Sequence, residues 1–319
     1  MAGFARLLAD TLRLPNWPTV GCSVVTGYLC GLALIGRSLG PEVPVAPEFS
    51  PLIVLLLLVG AGGLYAMGCL LNDAVDAAVD ARERPGRLVP SAAMSASAAA
   101  NWGLGAGALG VLALFFIGPF ALVVGAVLAV LILVYTWIHK RTVWGVLPMG
   151  LCRGALYPLG GLAAVSYWGK EMEGPLQWLI VAGLLPTAYV AGVSLVARIE
   201  GSGAPAGAWR VRLATGLMAL PFFIPVLVLW VLSMRNPELH AAPLELLLFL
   251  MIPAAGLAWL AWARRVLPGE PGRFVGRALP GLVWIDALLL ALFAPAVWLW
   301  MPAAALAAAL VLGRMARAT

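Results

Sequence analysis

Charged residues are scarce in this chain of 319 residues, where Asp, Glu, Lys and Arg together make up 11% of the sequence. Hydrophobic residues make up 63%, and the mean hydropathy is +0.99. A soluble domain of this size needs far more polar surface than such a composition supplies. The composition therefore excludes a soluble protein and predicts an integral membrane protein.

Cysteine and histidine are also few, with four and two copies. Cys22, Cys30, Cys69 and Cys152 lie in apolar stretches and form no CxxC or Cys/His pattern, so we expect buried thiols rather than disulfides or zinc ligands. The net charge of +6 comes from basic residues scattered over short loops. Membrane topology explains that distribution, and we expect no nucleic-acid partner.

Apolar stretches long enough to cross ~30 Å of hydrocarbon recur along the chain. They predict an all-α, polytopic transmembrane bundle of nine to ten helices, preceded by an interfacial helix over residues 1–14. Glycine-rich stretches such as GAGGLYAMG predict close helix packing. Residues 274–313 could form one bent helix or two, since Pro295 and Pro302 permit either. With two, the predicted spans are 17–36, 52–73, 100–118, 120–139, 147–166, 176–198, 212–232, 244–263, 274–294 and 296–313.

The distribution of basic residues predicts the orientation. With the N-terminus in the cytoplasm, most of the 20 Lys and Arg residues fall on cytoplasmic loops, as the positive-inside rule requires. An odd number of spans would place Arg314 and Arg317 outside, so this asymmetry favours ten. We expect a multi-pass protein of the plasma membrane with its functional loops in the cytoplasm.

Four oxygen-bearing side chains lie at the end of the second predicted span and just beyond it, in the segment CLLNDAVDAAVDARERPGRLVPS. At 100° per residue, Asn72, Asp73, Asp76 and Asp80 fall within about 100° of one another around a helix. Mg²⁺ prefers such oxygen ligands and is often completed by substrate phosphates. Cations that could neutralise a bound diphosphate follow at Arg82, Arg84, Arg87, Lys140 and Arg141. The alternative is a solvated helix end whose acids balance nearby arginines.

The segment NDAVDAAVD resembles the NDxxDxxxD motif of the UbiA superfamily of intramembrane prenyltransferases. RERPGRLVPS is similar to the Arg- and Pro-rich segment that follows this motif there. Tyr135 and the Lys140–Arg141 pair in YTWIHKR resemble the family's element at the end of the fourth helix. MGLCRG and VSLVARIE resemble the EboC-like branch of the superfamily.

The resemblance implies one transmembrane prenyltransferase-like domain over residues 1–319, with a central cavity that opens sideways to lipid. Asn72, Asp76 and Asp80 match the metal-binding positions of the motif, and Asp73 matches its second-position acid, which would aid them in holding the metal. Lys140 would contact the diphosphate of a polyprenyl substrate.

The expected second acidic motif, of DxxxD type after the sixth helix, is reduced here to Ala197-Arg198-Ile199-Glu200-Gly201. Glu200 would assist the metal or form a helix-end ion pair, and Arg198 would contact the diphosphate or point to the interface. The site would then hold one metal or two. Tyr189 lies near the helix face of Glu200, and Tyr65 lies near that of Asn72, so both tyrosines are predicted to line the cavity.

Arg153 falls inside the fifth predicted span, where a lone charge is costly. Its expected partner is Asp286 of the ninth span, a substrate anion or backbone carbonyls. His139, at a helix end, is a weak candidate for a base.

These observations predict Mg²⁺-dependent transfer of a prenyl group from a polyprenyl diphosphate to an aromatic or other small acceptor within the membrane. Asp73, Asp76, Asp80, Lys140 and Arg153 are the predicted catalytic residues. A transporter or lipid-binding protein, or a catalytically degenerate family member, remains as an alternative. The sequence does not specify an oligomeric state.

Overall fold

The computed structural model describes residues 2–38, 48–168, 173–202, 208–235, 243–267 and 269–318, and in these ranges it contains helices and turns but no strand. Four short 3₁₀ turns connect helices, at Leu14–Asn16, Val143–Gly145, Leu279–Leu282 and Ala296–Leu299. The helices are α1 (Ala2–Thr11), α2 (Trp17–Ser38), α3 (Pro51–Glu83), α4 (Ala96–Ile117), α5 (Pro119–Ile138), α6 (Val146–Gly154), α7 (Leu156–Trp168), α8 (Glu173–Ser202), α9 (Ala208–Arg235), α10 (Pro243–Arg264), α11 (Pro271–Ala278), α12 (Val283–Phe293) and α13 (Trp300–Ala318).

Within the described ranges, nine helical segments are long and apolar enough to cross a membrane, which confirms the predicted all-α membrane bundle. The predicted fifth span, 147–166, is instead a pair of shorter helices, because the chain breaks between α6 and α7. Pro158 explains the break, since it has no N–H to donate to the carbonyl of Gly154 four residues earlier. The pair covers roughly 34 Å at 1.5 Å per residue, enough for a tenth crossing.

The end of the chain forms two helical segments. Ala294 adopts an extended conformation (φ −115°, ψ 161°) and ends α12, and Pro295 follows it. The segment α11–α12 and the helix α13 are therefore separate, as the division into spans 274–294 and 296–313 predicted.

The helix α3 runs further than its apolar sequence suggests. The Ser50 hydroxyl caps its start by accepting a hydrogen bond from the Ile53 amide, and Pro51 occupies the first turn. No glycine or proline interrupts the chain between Gly68 and Pro85, so the helix continues through the acidic motif to Glu83. The predicted span 52–73 is thus only the apolar part of this helix.

Small residues allow the central helices to approach closely. A Cβ atom added at Gly63 of α3 would lie 2.5 Å from the Ala106 carbonyl oxygen and 3.0 Å from Gly110 Cα on α4. At Gly31 of α2, it would lie 2.7 Å from Gly161 Cα on α7. The predicted role of the glycine-rich stretches in helix packing is therefore confirmed.

The cysteines are free thiols, as expected. Cys22, Cys30 and Cys69 are buried, and Cys152 is partly buried.

Candidate active site

A cavity of about 730 Å³ lies between α2, α3, α5, α6 and α8, and the segment 275–282 closes part of it. Along α3 its lining extends from Ala61 to Glu83, roughly 33 Å of helix. Its walls include both charged groups and a large apolar surface. The apolar side chains are Val20, Ala61, Leu64, Val79, Leu128, Ile132, Val146, Met149, Leu156, Val190, Val193, Ala197, Val275, Leu279 and Leu282.

The four polar residues of the acidic motif are all buried, with 6% of Asn72, 3% of Asp73, 5% of Asp76 and 2% of Asp80 exposed. Asn72, Asp76 and Asp80 line the cavity, as their shared helix face predicted. Asp73 is not among the lining residues, and its carboxylate accepts a hydrogen bond from the Thr11 hydroxyl at 2.9 Å. The N-terminal helix α1 therefore packs against the back of the motif.

Two basic side chains form ion pairs with the three carboxylates of the motif. The Arg87 guanidinium lies 3.2 Å from Asp73 Oδ1 and 2.7 Å from Asp80 Oδ2. Lys140 Nζ lies 3.0 Å from Asp76 Oδ2 and 3.5 Å from Asp80 Oδ1. Arg87 comes from the loop after α3 and Lys140 from the loop after α5, so these two loops supply the charge that keeps the acids together.

His139 joins the same network from the end of α5. Its Nε2 lies 3.0 Å from Asp76 Oδ2, and its Nδ1 lies 3.2 Å from the Tyr135 carbonyl oxygen and 3.1 Å from the Thr136 carbonyl oxygen. Nδ1 faces two carbonyl oxygens, and Nε2 faces the Asp76 carboxylate. Because its Nε2 contacts Asp76 directly, His139 positions this carboxylate.

The structure places only some of the other predicted substrate residues at the cavity. Arg84, Arg198, Tyr65 and Tyr135 line it, and Arg198 also donates a hydrogen bond to the His139 carbonyl. Arg82 and Arg141 do not line the cavity. Both are exposed, and the Arg141 guanidinium stacks over the Trp137 ring at 5.2 Å from its centroid.

The prediction that Tyr189 lines the cavity is wrong. Its ring is 1% exposed, and its hydroxyl donates to the Ala278 carbonyl at 2.8 Å. The face of α8 that lines the cavity bears Val190, Val193 and Ala197, and its centre lies about 50° around the helix from Glu200 and about 70° from Tyr189. The side chain of Glu200 itself lies outside the described residues.

The donor atoms of the motif suit a hard cation. Asn72 Oδ1 is buried and has no hydrogen-bond partner in the part of the chain that is described, and it shares the cavity face with two carboxylates. The described residues contain no group of three His, Cys, Asp or Glu side chains arranged around one point. A site formed by Asn72, Asp76 and Asp80 fits Mg²⁺, because this ion takes few protein oxygens and completes its shell with water and phosphate.

Arg153 does not form the ion pair with Asp286 that was one of its expected partners. Its guanidinium donates to the Thr19 hydroxyl and lines the cavity. The Asp286 carboxylate instead accepts from the Tyr157 hydroxyl at 2.5 Å and from the Ser23 hydroxyl at 3.4 Å. Asp286 therefore joins core helices, whereas Arg153 faces the cavity.

Arg13 is a cavity residue that the sequence did not reveal. It was assigned to the interfacial helix, but α1 ends at Thr11, and Arg13 adopts a left-handed conformation (φ 48°) just before the turn Leu14–Asn16. That turn directs the chain into α2 and places Arg13 in the cavity wall. Pro15 in the turn is the local sequence signal that the helix does not continue.

Comparison with known proteins concerns the family of the chain. A model described as the UbiA prenyltransferase family matches residues 29–267. The digeranylgeranylglyceryl phosphate synthase of Methanoregula boonei is 30% identical over 146 residues, which are 46% of this chain and 48% of that protein. The enzyme of the same name from Methanopyrus kandleri is 28% identical over 162 residues, 49% of this chain and 55% of that protein. The chain thus spans about half the length of these curated relatives.

Two solved structures share the fold. One, described as giving structural and mechanistic insights into the biosynthesis of digeranylgeranylglyceryl phosphate synthase in membranes, is 20% identical, with a TM-score of 0.59 over 92% of this chain and 98% of that one. The apo structure of a UbiA homolog from Aeropyrum pernix K1 is 18% identical, with a TM-score of 0.59 over 85% of this chain and 97% of that one. At these identities the likeness concerns the fold alone.

Proposed function

This chain belongs to the UbiA prenyltransferase family, and we propose that it transfers a prenyl group from a polyprenyl diphosphate to a second, membrane-borne substrate with the help of Mg²⁺. The observation that supports this most is the cavity itself. It joins the acidic motif and its cations to a long apolar wall. An amphiphile with a diphosphate head and a hydrocarbon tail is complementary to such a cavity.

Mg²⁺ held by Asn72, Asp76 and Asp80 would polarise the diphosphate and stabilise the negative charge that develops on it. In the same proposal, Asp73 and Asp80 keep Arg87 at the cavity, and Asp76 and Asp80 keep Lys140 there. Arg84 and Arg198 line the same cavity. These cations would donate hydrogen bonds to the leaving diphosphate, and the apolar walls would exclude water from the allylic cation.

We also propose that the acceptor is a glycerol phosphate lipid. The two curated relatives are both named for the product digeranylgeranylglyceryl phosphate. The described cavity residues include Arg153 and Arg13, which suit an anionic acceptor better than a neutral aromatic one. This proposal narrows the choice between aromatic and other acceptors that the sequence left open.

The orientation of the chain in the membrane is part of the same proposal. The cluster formed by the acidic motif and the two loops, residues 72–87 and 139–141, would face the cytoplasm of a plasma membrane. The abundance of basic residues on these loops supports that placement.

One experiment tests the activity. Purified protein is incubated with Mg²⁺, labelled polyprenyl diphosphates of several lengths and a glycerol phosphate lipid, and is compared with Asp76→Asn. We expect product from the wild type and a loss of about 10²- to 10³-fold in the variant, because Asp76 would help to hold the metal and Lys140, which stabilise the leaving diphosphate in the transition state. Glu270→Gln, which alters an exposed ion pair with Arg273, is the control.

Equal product formation by the wild type and Asp76→Asn would contradict the proposed site. Tight binding of the diphosphate without any turnover in the wild type would contradict catalysis and support the degenerate family member instead. Movement of a labelled ion or lipid across vesicles containing the protein, again without turnover, would support the transporter.

A further inference from the structure

A cluster of arginines lies where α10 ends and α11 begins, outside the central cavity. The helix α10 ends at Arg264, and α11 begins at Pro271 after a short turn. The Trp259 indole N–H donates to the Arg277 carbonyl at 2.9 Å. This hydrogen bond holds α11 against the last turns of α10, so the two helices form a corner.

The charge of this corner is almost entirely positive. Residues 264–278 contain four arginines and one acid. The acid, Glu270, is paired with Arg273 at 3.1 Å, and both side chains of this pair are exposed. Within the described ranges the other three arginines form no ion pair and no side-chain hydrogen bond, and we call them the basic corner: Arg264, Arg265 and Arg277.

The basic corner is separate from the cavity. Phe274 and Ala278 of α11 are 0% exposed, and Val275 lines the cavity. Arg277 follows Val275 by two residues and lies about 160° around the helix from it. The lining of the cavity includes none of the three arginines of the basic corner. The arginine side of α11 therefore faces away from the acidic motif.

The position of the corner along the helices corresponds to the head groups of the lipid. Two apolar segments long enough to cross a membrane meet there, because Leu247–Arg264 ends and Pro271–Phe293 begins at the corner. Trp262 is 37% exposed, and tryptophan is enriched at this level because its ring is apolar and its N–H is polar. The basic corner therefore lies among phosphates rather than in bulk water.

Arg277 occupies a fixed place at this level. Its guanidinium carbon lies 4.3 Å from the centroid of the Trp262 ring, and its carbonyl is held by Trp259. A cation over a ring uses the face of the ring and leaves its N–H groups available to other acceptors. The positive-inside rule accounts for arginines in this loop, but not for an arginine placed between two helices on a tryptophan.

The chemistry of the corner is complementary to an anionic phospholipid. Guanidinium groups match phosphate oxygens with paired donors, and anionic lipids attract basic groups near the membrane surface. A zwitterionic lipid has the same phosphate, but its own ammonium group competes for the phosphate and repels the arginines. The net charge of the lipid should therefore decide which head group the corner holds.

We propose that Arg264, Arg265 and Arg277, together with Trp262, bind the head group of an anionic phospholipid in the leaflet that the corner faces. The lipid lies on the outside of the bundle and is not a substrate, so this site does not depend on the proposed prenyl transfer. The bound lipid stabilises the position of α11, which contributes Val275 to the wall of the cavity.

The test measures the binding of single lipids to the full-length protein in detergent, by native mass spectrometry. The probes are phosphatidylglycerol, phosphatidylcholine with the same acyl chains, and glycerophosphoglycerol, which is the anionic head group without chains. Each arginine near an anionic lipid contributes about five-fold in affinity. We therefore expect the wild type to bind phosphatidylglycerol about 10- to 100-fold more tightly than phosphatidylcholine.

Variants of the basic corner assign this preference to its residues. Arg277→Gln should lower the preference about five-fold, and the triple variant Arg264→Gln, Arg265→Gln, Arg277→Gln should abolish it. Arg210→Gln is the matched control, since the Arg210 guanidinium also stacks on a tryptophan, Trp209, at 5.5 Å. This control should keep the preference of the wild type.

Several outcomes would overturn the inference. They are equal binding of the two phospholipids by the wild type, an unchanged preference in the triple variant, and an equal loss of preference in Arg210→Gln. Displacement of phosphatidylglycerol by equimolar glycerophosphoglycerol would indicate a site for soluble anions, and displacement by equimolar polyglutamate would indicate an acidic protein partner.

The folding of the variants is checked by thermal unfolding. If the triple variant does not fold, the double variant Arg264→Gln, Arg265→Gln decides, because it leaves Arg277 on Trp262. It should lose at least about five-fold of the preference, and a full wild-type preference would contradict the site. A negative result at the basic corner leaves the proposed prenyl transfer standing, because the corner lies outside the cavity.

Discussion

Replacing Arg87 by methionine tests whether the acids of the motif are held together by cations that a metal can replace. Arg87 bridges Asp73 and Asp80, at 3.2 and 2.7 Å. Both carboxylates are almost fully buried, and 24% of the Arg87 side chain is exposed. Methionine keeps most of the apolar stem and removes the charge, so Arg87→Met leaves two buried carboxylates close together without their shared cation.

The magnitude follows from this geometry. Removing one partner of a buried ion pair costs about 3–5 kcal/mol, and solvent around the partly exposed guanidinium reduces this to about 2–3 kcal/mol. For a chain of 319 residues, each kcal/mol corresponds to about 1.5 °C in Tm. Without divalent metal, we therefore expect the apparent Tm of Arg87→Met to fall by about 3–5 °C.

Mg²⁺ provides the decisive comparison. The assay is thermal unfolding in detergent, with EDTA or with millimolar MgCl₂. Mg²⁺ should restore most of the lost stability in Arg87→Met and raise the Tm of the wild type much less, because Arg87 already neutralises the wild-type acids. Arg82 is an exposed arginine of the same segment, and Arg82→Met should have the Tm of the wild type in both buffers. A variant that is as stable as the wild type in EDTA, or one that Mg²⁺ fails to rescue, would refute the reasoning.

Two further predictions concern the packing of the bundle. Gly63→Leu should destabilise the protein by at least about 1–3 kcal/mol, because its Cβ would press on the backbone of α4. Gly105→Leu, at a position with open space around it, should leave the stability unchanged. Equal melting temperatures of the two variants would argue against close contact between α3 and α4. Asp286→Leu should cost about 1–3 kcal/mol, because the Tyr157 hydroxyl loses its acceptor at 2.5 Å, whereas the Ser23 hydroxyl keeps the Thr19 carbonyl at 2.9 Å. Adding Tyr157→Phe should recover part of that loss in the same melting assay, and strictly additive effects would show that the bond contributes no stability.

The sequence was sufficient for the parts of the fold that depend on apolar length and helical period. The spans follow from hydrophobic stretches, and the common face of Asn72, Asp76 and Asp80 follows from 100° per residue. Pro158 encodes the break inside the fifth span locally, because it has no backbone N–H to donate. An average of hydropathy over a span does not detect this loss of a hydrogen bond.

The rest of the site depends on contacts between distant segments. The pairing of Arg87 with Asp73 and Asp80 requires the chain after Glu83 to turn back on α3, and no helical period predicts that path. Tyr189 illustrates the same difficulty, because the rotation of α8 about its axis is fixed by its neighbours rather than by Glu200.

Arg153 shows that charge alone does not identify a partner. Asp286 was one of three expected partners, beside a substrate anion and backbone carbonyls, because both residues lie within predicted spans and bear opposite charges. A hydroxyl pair, Tyr157 and Ser23, satisfies the aspartate instead, so the arginine faces the cavity. Charges alone therefore predicted that Arg153 needs a partner, but not which one.

The ion pairs of the acidic motif have a consequence for how the two ligands of the proposed site depend on each other. Mg²⁺ arriving alone would compete with Arg87 and Lys140 for the carboxylates, and a diphosphate arriving alone would draw the same cations away and leave the acids unneutralised. With both present, the acids would hold the metal and the released cations would contact the phosphates. Each ligand would then strengthen the binding of the other by the same factor, so the proposed site would bind the two together in preference to either one by itself.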